Sequence, residues 1–261
     1  MSPVAIGRMG VTLAAAGVLG FAAMLLWPAP ESAPRLGGLP GPPTPALDVP
    51  APAALEREPH LAMWSVVERP ATAREAPGAG AAAVARLRTR TPDGTDNVVL
   101  VLRRARDARG RVWVEARLPV LPNGTTGWLP REALGGYRPV RTHLMVDLAR
   151  KTATLTHRGR KVFRARVGVG LPKWPTPRGR FYIRSKLVRY RSSFYGPLAF
   201  GTSARSAVLT DWPDGGFVGV HGTDRPDLIP GQISHGCIRM SNSDIVRLGR
   251  LMPVGTPLTI R

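Results

Sequence analysis

The 261-residue chain is long enough for a targeting segment and one or two small domains, and with 43% hydrophobic residues it can bury a core. Its 29 Gly and 27 Pro exclude a fold of long helices, and its single cysteine, Cys237, excludes an internal disulfide. Lys plus Arg number 37 against 17 Asp plus Glu, a net charge of +20, so the partners expected of its surface are polyanions. The excess is concentrated late: from Arg141 to Arg261 stand 21 basic residues and 6 acidic ones, all Asp. Nucleic acid, an anionic wall polymer and an anionic membrane surface all carry the required charge. The sequence has no zinc-finger spacing and no aromatic-basic RNA-binding signature, so no nucleic-acid partner is expected.

Met9 to Trp27 is an uncharged apolar run preceded by Arg8 and the N-terminal amine. A helix of that length spans about 28 Å, close to a bilayer core. Residues 1–27 are therefore read as a signal peptide or an N-terminal membrane anchor, with the remainder of the chain outside the cytoplasmic membrane. Both outcomes stay open: an anchored protein, or one secreted after cleavage near Ser32–Ala33. Residues 28–58 are rich in Pro, Ala and Gly without apolar periodicity, the composition of an extended, disordered spacer.

Residues 59–138 predict a small β domain. Asn97–Leu102 and Arg111–Leu118 read as strands around the turn Asp107-Ala108-Arg109-Gly110, and Pro122-Asn123-Gly124 is a second turn before Thr126–Leu129. Strand, turn, Trp113-Val114-Glu115, turn, Gly127-Trp128-Leu129-Pro130 resembles the bacterial SH3-like modules of wall proteins. Wall binding is what that resemblance implies; a domain that merely packs against its neighbour is the other reading.

Residues 141–261 predict a second, mostly β domain. Its strands are placed at Leu144–Leu148, Thr152–His157, Val162–Val169, Phe181–Arg184, Phe217–His221 and Leu258–Ile260. One short helix is expected near the C-terminus, capped by Ser243, with Asp244 at its positive end, an apolar face of Ile245, Leu248 and Leu251, and Pro253 as its stop.

The chemistry concentrates in Ser234-His235-Gly236-Cys237-Ile238-Arg239-Met240, with Val220-His221-Gly222-Thr223 upstream. A cysteine nucleophile needs a neighbouring base or cation, and amide donors for the oxyanion that forms when it attacks a carbonyl. Gly236 lets the backbone turn sharply and a substrate come close. His221 stands sixteen residues before the thiol and His235 two before. His60, His143 and His157 stand apart and read as surface or packing residues.

His221-Gly222-Thr223 followed by Ser234-His235-Gly236-Cys237-Ile238-Arg239-Met240 resembles the signature of the L,D-transpeptidase (YkuD-like) catalytic domain. Thr176-Pro177-Arg178-Gly179-Arg180-Phe181 resembles that family's T-P-x-G-x-F turn, with Val167-Gly168-Val169-Gly170 ahead of it. The expected fold is mainly β: the SH3-like domain, then an L,D-transpeptidase β-sandwich-type domain with one C-terminal helix. The resemblance implies Cys237 as acylated nucleophile, His221 as proton donor and acceptor, and the His235-Gly236-Cys237 backbone as oxyanion loop. It leaves two orienters for His221, the Thr223 hydroxyl or a backbone carbonyl. Arg239 is assigned either a substrate carboxylate or an ion pair with Asp224 or Asp244, and Ser234 either loop stabilisation or a substrate contact.

The implied reaction joins peptidoglycan stem peptides. A tetrapeptide donor loses D-Ala to Cys237, and the side-chain amine of a second stem takes the acyl group to give a 3→3 cross-link. Water as acceptor would make the same site an L,D-carboxypeptidase, and an inactive copy of the fold would be a wall-binding protein. No cofactor and no metal are implied, although His221, His235 and Cys237 with Asp224 could be read as zinc ligands. Cysteine peptidases that cut peptidoglycan carry the cysteine before the histidine, the reverse of the order here.

Overall fold

A computed structural model of the chain describes residues 59–188, 193–209 and 216–261. The targeting segment expected over 1–27 and the spacer expected over 28–58 lie outside the described residues. Those described fall in a single unit, Val49–Arg261, built from two sheets.

The first sheet uses β1 (Ala62–Val66), β2 (Ala71–Arg74), β3 (Ala83–Leu87), β4 (Val98–Arg106), β5 (Val112–Arg117), β6 (Thr126–Pro130) and β7 (Arg138–Val140). All pairs are antiparallel, in the order β3-β2-β6-β5-β4-β1-β7. The β4–β5 turn forms where Asp107 does two jobs. Its Oδ1 accepts the Arg109 and Arg111 N–H groups at 2.9 and 3.0 Å, and Gly110 supplies the left-handed φ of 77°. Val99, Val114, Ala116, Leu118 and Leu129 fill the core of this domain. Its SH3-like likeness rests on the sequence motifs.

The second sheet begins with β8 (Thr142–Asp147), β9 (Thr152–His157), β10 (Arg160–Arg166) and β11 (Gly168–Gly170). It continues through β12 (Gly179–Val188), β13 (Leu198–Arg205), β14 (Phe217–His221), β15 (Gly231–Ser234) and β16 (Ile238–Arg239), and ends with α1 (Asn242–Leu251) and β17 (Pro257–Ile260). The ten strands run β10-β9-β8-β17-β12-β13-β14-β16-β11-β15, and their apolar faces enclose one core that includes Leu144, Phe181, Phe200, Val220, Ile238 and Leu248. The protein is mainly β with one α-helix among the described residues, as the composition and periodicity predict.

In this second domain the sequence reading leaves out β13, β15 and β16, and two of the elements it does place are divided or capped differently. The strand expected over Val162–Val169 divides into β10 and β11, which pair with different partners. Gly168 and Gly170 permit this close approach: a Cβ would lie 2.4 Å from Ile233 Cδ1 at the first and 2.2 Å from the Trp174 carbonyl oxygen at the second. The helix cap is Ser241 and not Ser243. Ser241 has extended ψ (152°), accepts the Asp244 N–H at 3.1 Å, and donates to Asp244 Oδ2 at 2.8 Å, a closed capping arrangement that begins the helix earlier. Leu251, expected on the apolar face, is exposed at the helix end, while Ile245 and Leu248 are buried.

The two domains share a small apolar seam of Tyr182, Val98 and Leu100, with Trp64 packed against it. Tyr182 is fully buried and its hydroxyl donates to the Val98 carbonyl at 3.0 Å. Gly255, at φ 85°, passes the Trp64 ring so closely that a Cβ would lie 2.1 Å from Cδ1. Gly255→Ala should therefore cost about 2–5 kcal/mol, combining left-handed strain with overpacking. Urea unfolding of the variant checks this, and an unchanged midpoint would contradict the packing described for the seam.

Candidate active site

The site is assembled by strand pairing. β14 and β16 run parallel, with Val220 opposite Ile238 and His221 opposite Arg239. Cys237 sits just ahead of β16 and falls beside Gly219, whose N–H donates to the thiol sulfur at 3.3 Å. Gly219 has no side chain, and that absence leaves the two reactive groups a common floor. A Cβ there would lie 3.6 Å from His221 Cδ2 and 3.9 Å from Cys237 Sγ.

His221 is buried. Its Nδ1 lies 2.6 Å from the Gly222 carbonyl oxygen. A carbonyl can only accept, so Nδ1 carries the proton and Nε2 holds the lone pair. That Nε2 is buried and has no hydrogen-bond partner. The carbonyl, rather than the Thr223 hydroxyl, thus orients the ring here; the Thr223 hydroxyl instead accepts the Arg225 N–H at 3.1 Å. Tyr195 meets the imidazole edge-on at 4.8 Å between centroids, and Phe194 lies at 6.1 Å. Burial pushes the His221 pKa down to about 4, the Gly222 hydrogen bond pulls it partly back, and the Arg239 charge adds to the depression.

Cys237 is half-buried. Burial raises its pKa, against the Gly219 N–H and the Arg239 charge, which lower it. The two shifts act together: they disfavour a standing thiolate–imidazolium pair, and favour a neutral thiol beside a neutral imidazole able to take its proton.

The turn carrying the thiol is braced from both sides. Ser234 Oγ donates to the Cys237 carbonyl at 2.5 Å and accepts the Gly236 N–H at 3.1 Å. Thr176 Oγ1 donates to the Gly236 carbonyl at 2.8 Å and accepts the Gly170 N–H at 2.8 Å. Gly236 holds φ at 112°, where a side chain would be strained. Because the Gly236 N–H is engaged by Ser234, it points away from service as an oxyanion donor in this arrangement. The His235 ring lines the cavity and stacks on Trp174 at 4.0 Å, with Lys173 Nζ 3.9 Å from the other aromatic centroid.

Arg239 is buried with its guanidinium 4.2 Å from the Phe194 ring centroid. Its Nε has no hydrogen-bond partner, and it forms no ion pair among the described residues. Asp244 is engaged by Ser241 and Arg247. Cys237, His221, His235 and Arg239 therefore line one cavity with Phe194 and Tyr195, while Ser234, Gly236 and Thr223 act behind its wall. Among the described residues, no group of three His, Cys, Asp or Glu side chains is placed to hold a metal ion.

Residues 141–260 match the YkuD family, the L,D-transpeptidase catalytic domain. Curated proteins align with the same region. The Bacillus subtilis protein YkuD, assigned by name to the L,D-transpeptidases, is 34% identical over 118 residues, which is 45% of this chain and 65% of that protein. Its Bacillus licheniformis counterpart is 34% identical over 117 residues, 45% of this chain and 64% of its own length. The chain thus covers just under two thirds of these relatives. Among solved structures, the catalytic domain of an Enterococcus faecium L,D-transpeptidase is 25% identical over 46% of this chain and 96% of that domain, with a TM-score of 0.35.

Sequence reasoning missed the parts of the site that act through the backbone or from a distance: Gly219, Thr176, Phe194, Tyr195 and Asn242. Asn242 Oδ1 accepts the Thr223 N–H at 2.9 Å, fastening the segment that follows His221. Thr176 could have been found, since it lies within the T-P-x-G-x-F turn.

The imidazole shift has a measurable consequence for stability. A folded pKa near 4 against about 6.5 in the unfolded chain means the unfolded state binds the proton first. The contribution is present above pH 6.5 and is lost as pH falls toward 4, by about 3 kcal/mol between pH 7 and pH 4. Denaturant unfolding free energies of wild type and His221→Gln should diverge by this amount across that window; parallel pH profiles would contradict the shift.

Proposed function

We propose that the protein is an extracytoplasmic L,D-transpeptidase that forms 3→3 cross-links between peptidoglycan stem peptides. The observation that carries this reading is the junction at Gly219, where the only thiol of the chain and an imidazole with its lone pair on a buried, unpartnered Nε2 meet in one cavity. The family match supports the reaction class.

In the proposed first half-reaction, His221 Nε2 takes the Cys237 proton as sulfur attacks the carbonyl of the third stem residue. The oxyanion is met by loop N–H groups, foremost that of Cys237 itself, because the Gly236 N–H is held by Ser234. The imidazolium passes its proton to the departing amine, and D-Ala leaves a thioester on Cys237. In the second half-reaction the side-chain amine of another stem attacks the thioester. His221 takes the amine proton and returns it to the Cys237 sulfur as the C–S bond breaks. One amide is lost and one gained, so no external energy source is required.

Arg239 is the proposed receptor for a stem carboxylate. Arg239 is buried and forms no ion pair with a carboxylate among the described residues, so such a ligand would give its unpartnered Nε side a charged partner. If residues 1–27 anchor the chain, the spacer over 28–58 would hold this site away from the bilayer. The SH3-like domain would then be a candidate contact with the wall.

D-Ala release from a disaccharide-tetrapeptide by the full chain tests the first half-reaction. Cys237→Ala and Cys237→Ser should abolish it with the melting temperature retained, and His221→Ala should lower turnover by about 10²–10⁴. Gly219→Ala should fold, because the added methyl meets its neighbours at ordinary van der Waals distances, yet lose activity by filling the floor between thiol and imidazole. Near-wild-type release by Cys237→Ala would overturn the assignment of the nucleophile.

A further inference from the structure

The outer face of the β10-β9-β8-β17 end of the large sheet is unused by the chemistry above, and its side chains follow a pattern. On β9, Ala153 and Leu155 point into the core, which turns Thr152, Thr154 and Thr156 outward. On β10, Lys161 stands opposite Thr156, Arg164 opposite Thr154 and Arg166 opposite Thr152. Each outward hydroxyl thus has an exposed cation beside it. Arg164 and Arg166 are two residues apart on one strand, a repeat of about 6.8 Å at the usual antiparallel rise. None of the three cations forms an ion pair among the described residues.

The face contains one acid, Asp147 on β8, and it is already neutralised. The Arg150 N–H donates to its Oδ1 at 2.9 Å, and this bond first, then Arg150 Nη1 at 3.1 Å and Arg261 Nε at 3.7 Å, holds its pKa below the usual carboxylate range against a smaller rise from burial. A groove of about 280 Å3 runs along this surface, bounded by Asp147, Thr152, Thr154, Lys161 and Arg164.

We propose that this ladder of threonine hydroxyls paired with Lys161, Arg164 and Arg166 is a docking surface for a linear polyol-phosphate polymer that carries no bases, read through its backbone phosphates. The Thr154 and Thr152 rungs each set a hydroxyl beside a cation, while the Thr156 hydroxyl already donates to the His143 carbonyl at 3.4 Å and leaves Lys161 as the charge of its rung. A chain of regularly spaced anions can satisfy several rungs at once. Charges on an edge strand also discourage pairing with a second chain. That role would need only the β10 cations, and it leaves the β9 hydroxyls and the groove without a purpose. A membrane surface fits less well, since the groove's one apolar lining residue is the half-buried Met145 and bilayer binding draws on inserted apolar side chains. The ladder has no aromatic residue on which bases could stack, so single-stranded nucleic acid is disfavoured. The inference stands apart from the proposed transpeptidation and does not depend on it.

The test measures binding of the full chain to fluorescent poly(glycerol phosphate) over a salt series. It compares wild type with a Lys161→Gln, Arg164→Gln, Arg166→Gln variant and with an Arg86→Gln, Arg88→Gln, Arg109→Gln variant of equal charge. All six residues are exposed, and thermal melting checks that both variants fold. The sheet-face variant should bind at least about ten-fold more weakly, with a log–log salt slope about two units shallower, as expected for three lost phosphate contacts. The control variant should bind like wild type, and glycerol 3-phosphate at equal phosphate concentration should not compete. Equal losses in both variants would reduce the binding to net charge and overturn the proposal. So would a sheet-face variant that loses binding to anionic-lipid vesicles but not to the polymer, or tighter binding of an oligonucleotide with the same number of phosphates.

Discussion

The parallel pairing of β14 with β16 is the constraint on which the site depends. It sets His221 opposite Arg239 and brings Cys237 to Gly219, so that two residues sixteen positions apart share one floor. Most of the remaining site architecture secures that register. The ten-stranded sheet buries Val220 and Ile238 between its neighbours, and a slip of one residue would turn each of them out of the core. Packing energy and reactive geometry are therefore fixed by the same contacts.

The turn before β16 is held by hydroxyls rather than by regular structure. Ser234 closes it from within and Thr176 ties it to β11, each using one oxygen as donor and acceptor at once. This arrangement satisfies buried polar groups and leaves the thiol at the cavity wall. The electrostatics are set by burial. A depressed imidazole and a raised thiol keep the proton on sulfur, and Arg239 makes the cavity cationic.

Much of this was legible in the sequence, for identifiable reasons. Strands with clean alternation, such as Thr152–His157 and Phe217–His221, have the predicted bounds, because one face is buried and the period is two. β15 and β16 are too short to carry a period, and the division of β10 from β11 depends on close approaches at Gly168 and Gly170 that only the fold reveals. Cys237 and His221 stood out because their residue types carry chemistry. Gly219 did not, since its contribution is the absence of a side chain at one point in space. The Ser241 cap was missed for Ser243 because both residues can accept a helix N–H, and only backbone geometry separates them. The ring orienter was equally undetermined, as a carbonyl leaves no mark on a sequence.

Transpeptidation, unlike hydrolysis, requires that the acyl group on Cys237 pass to an amine. The direct measurement is mass analysis of the products formed by the full chain from a disaccharide-tetrapeptide whose third residue is meso-diaminopimelate. Transpeptidation should give a dimer joined 3→3 whose mass equals two monomers minus one D-Ala, and the Cys237→Ser protein should give none. Disaccharide-tripeptide alone, with D-Ala released and no dimer at any donor concentration, would contradict transpeptidation and identify water as the acceptor.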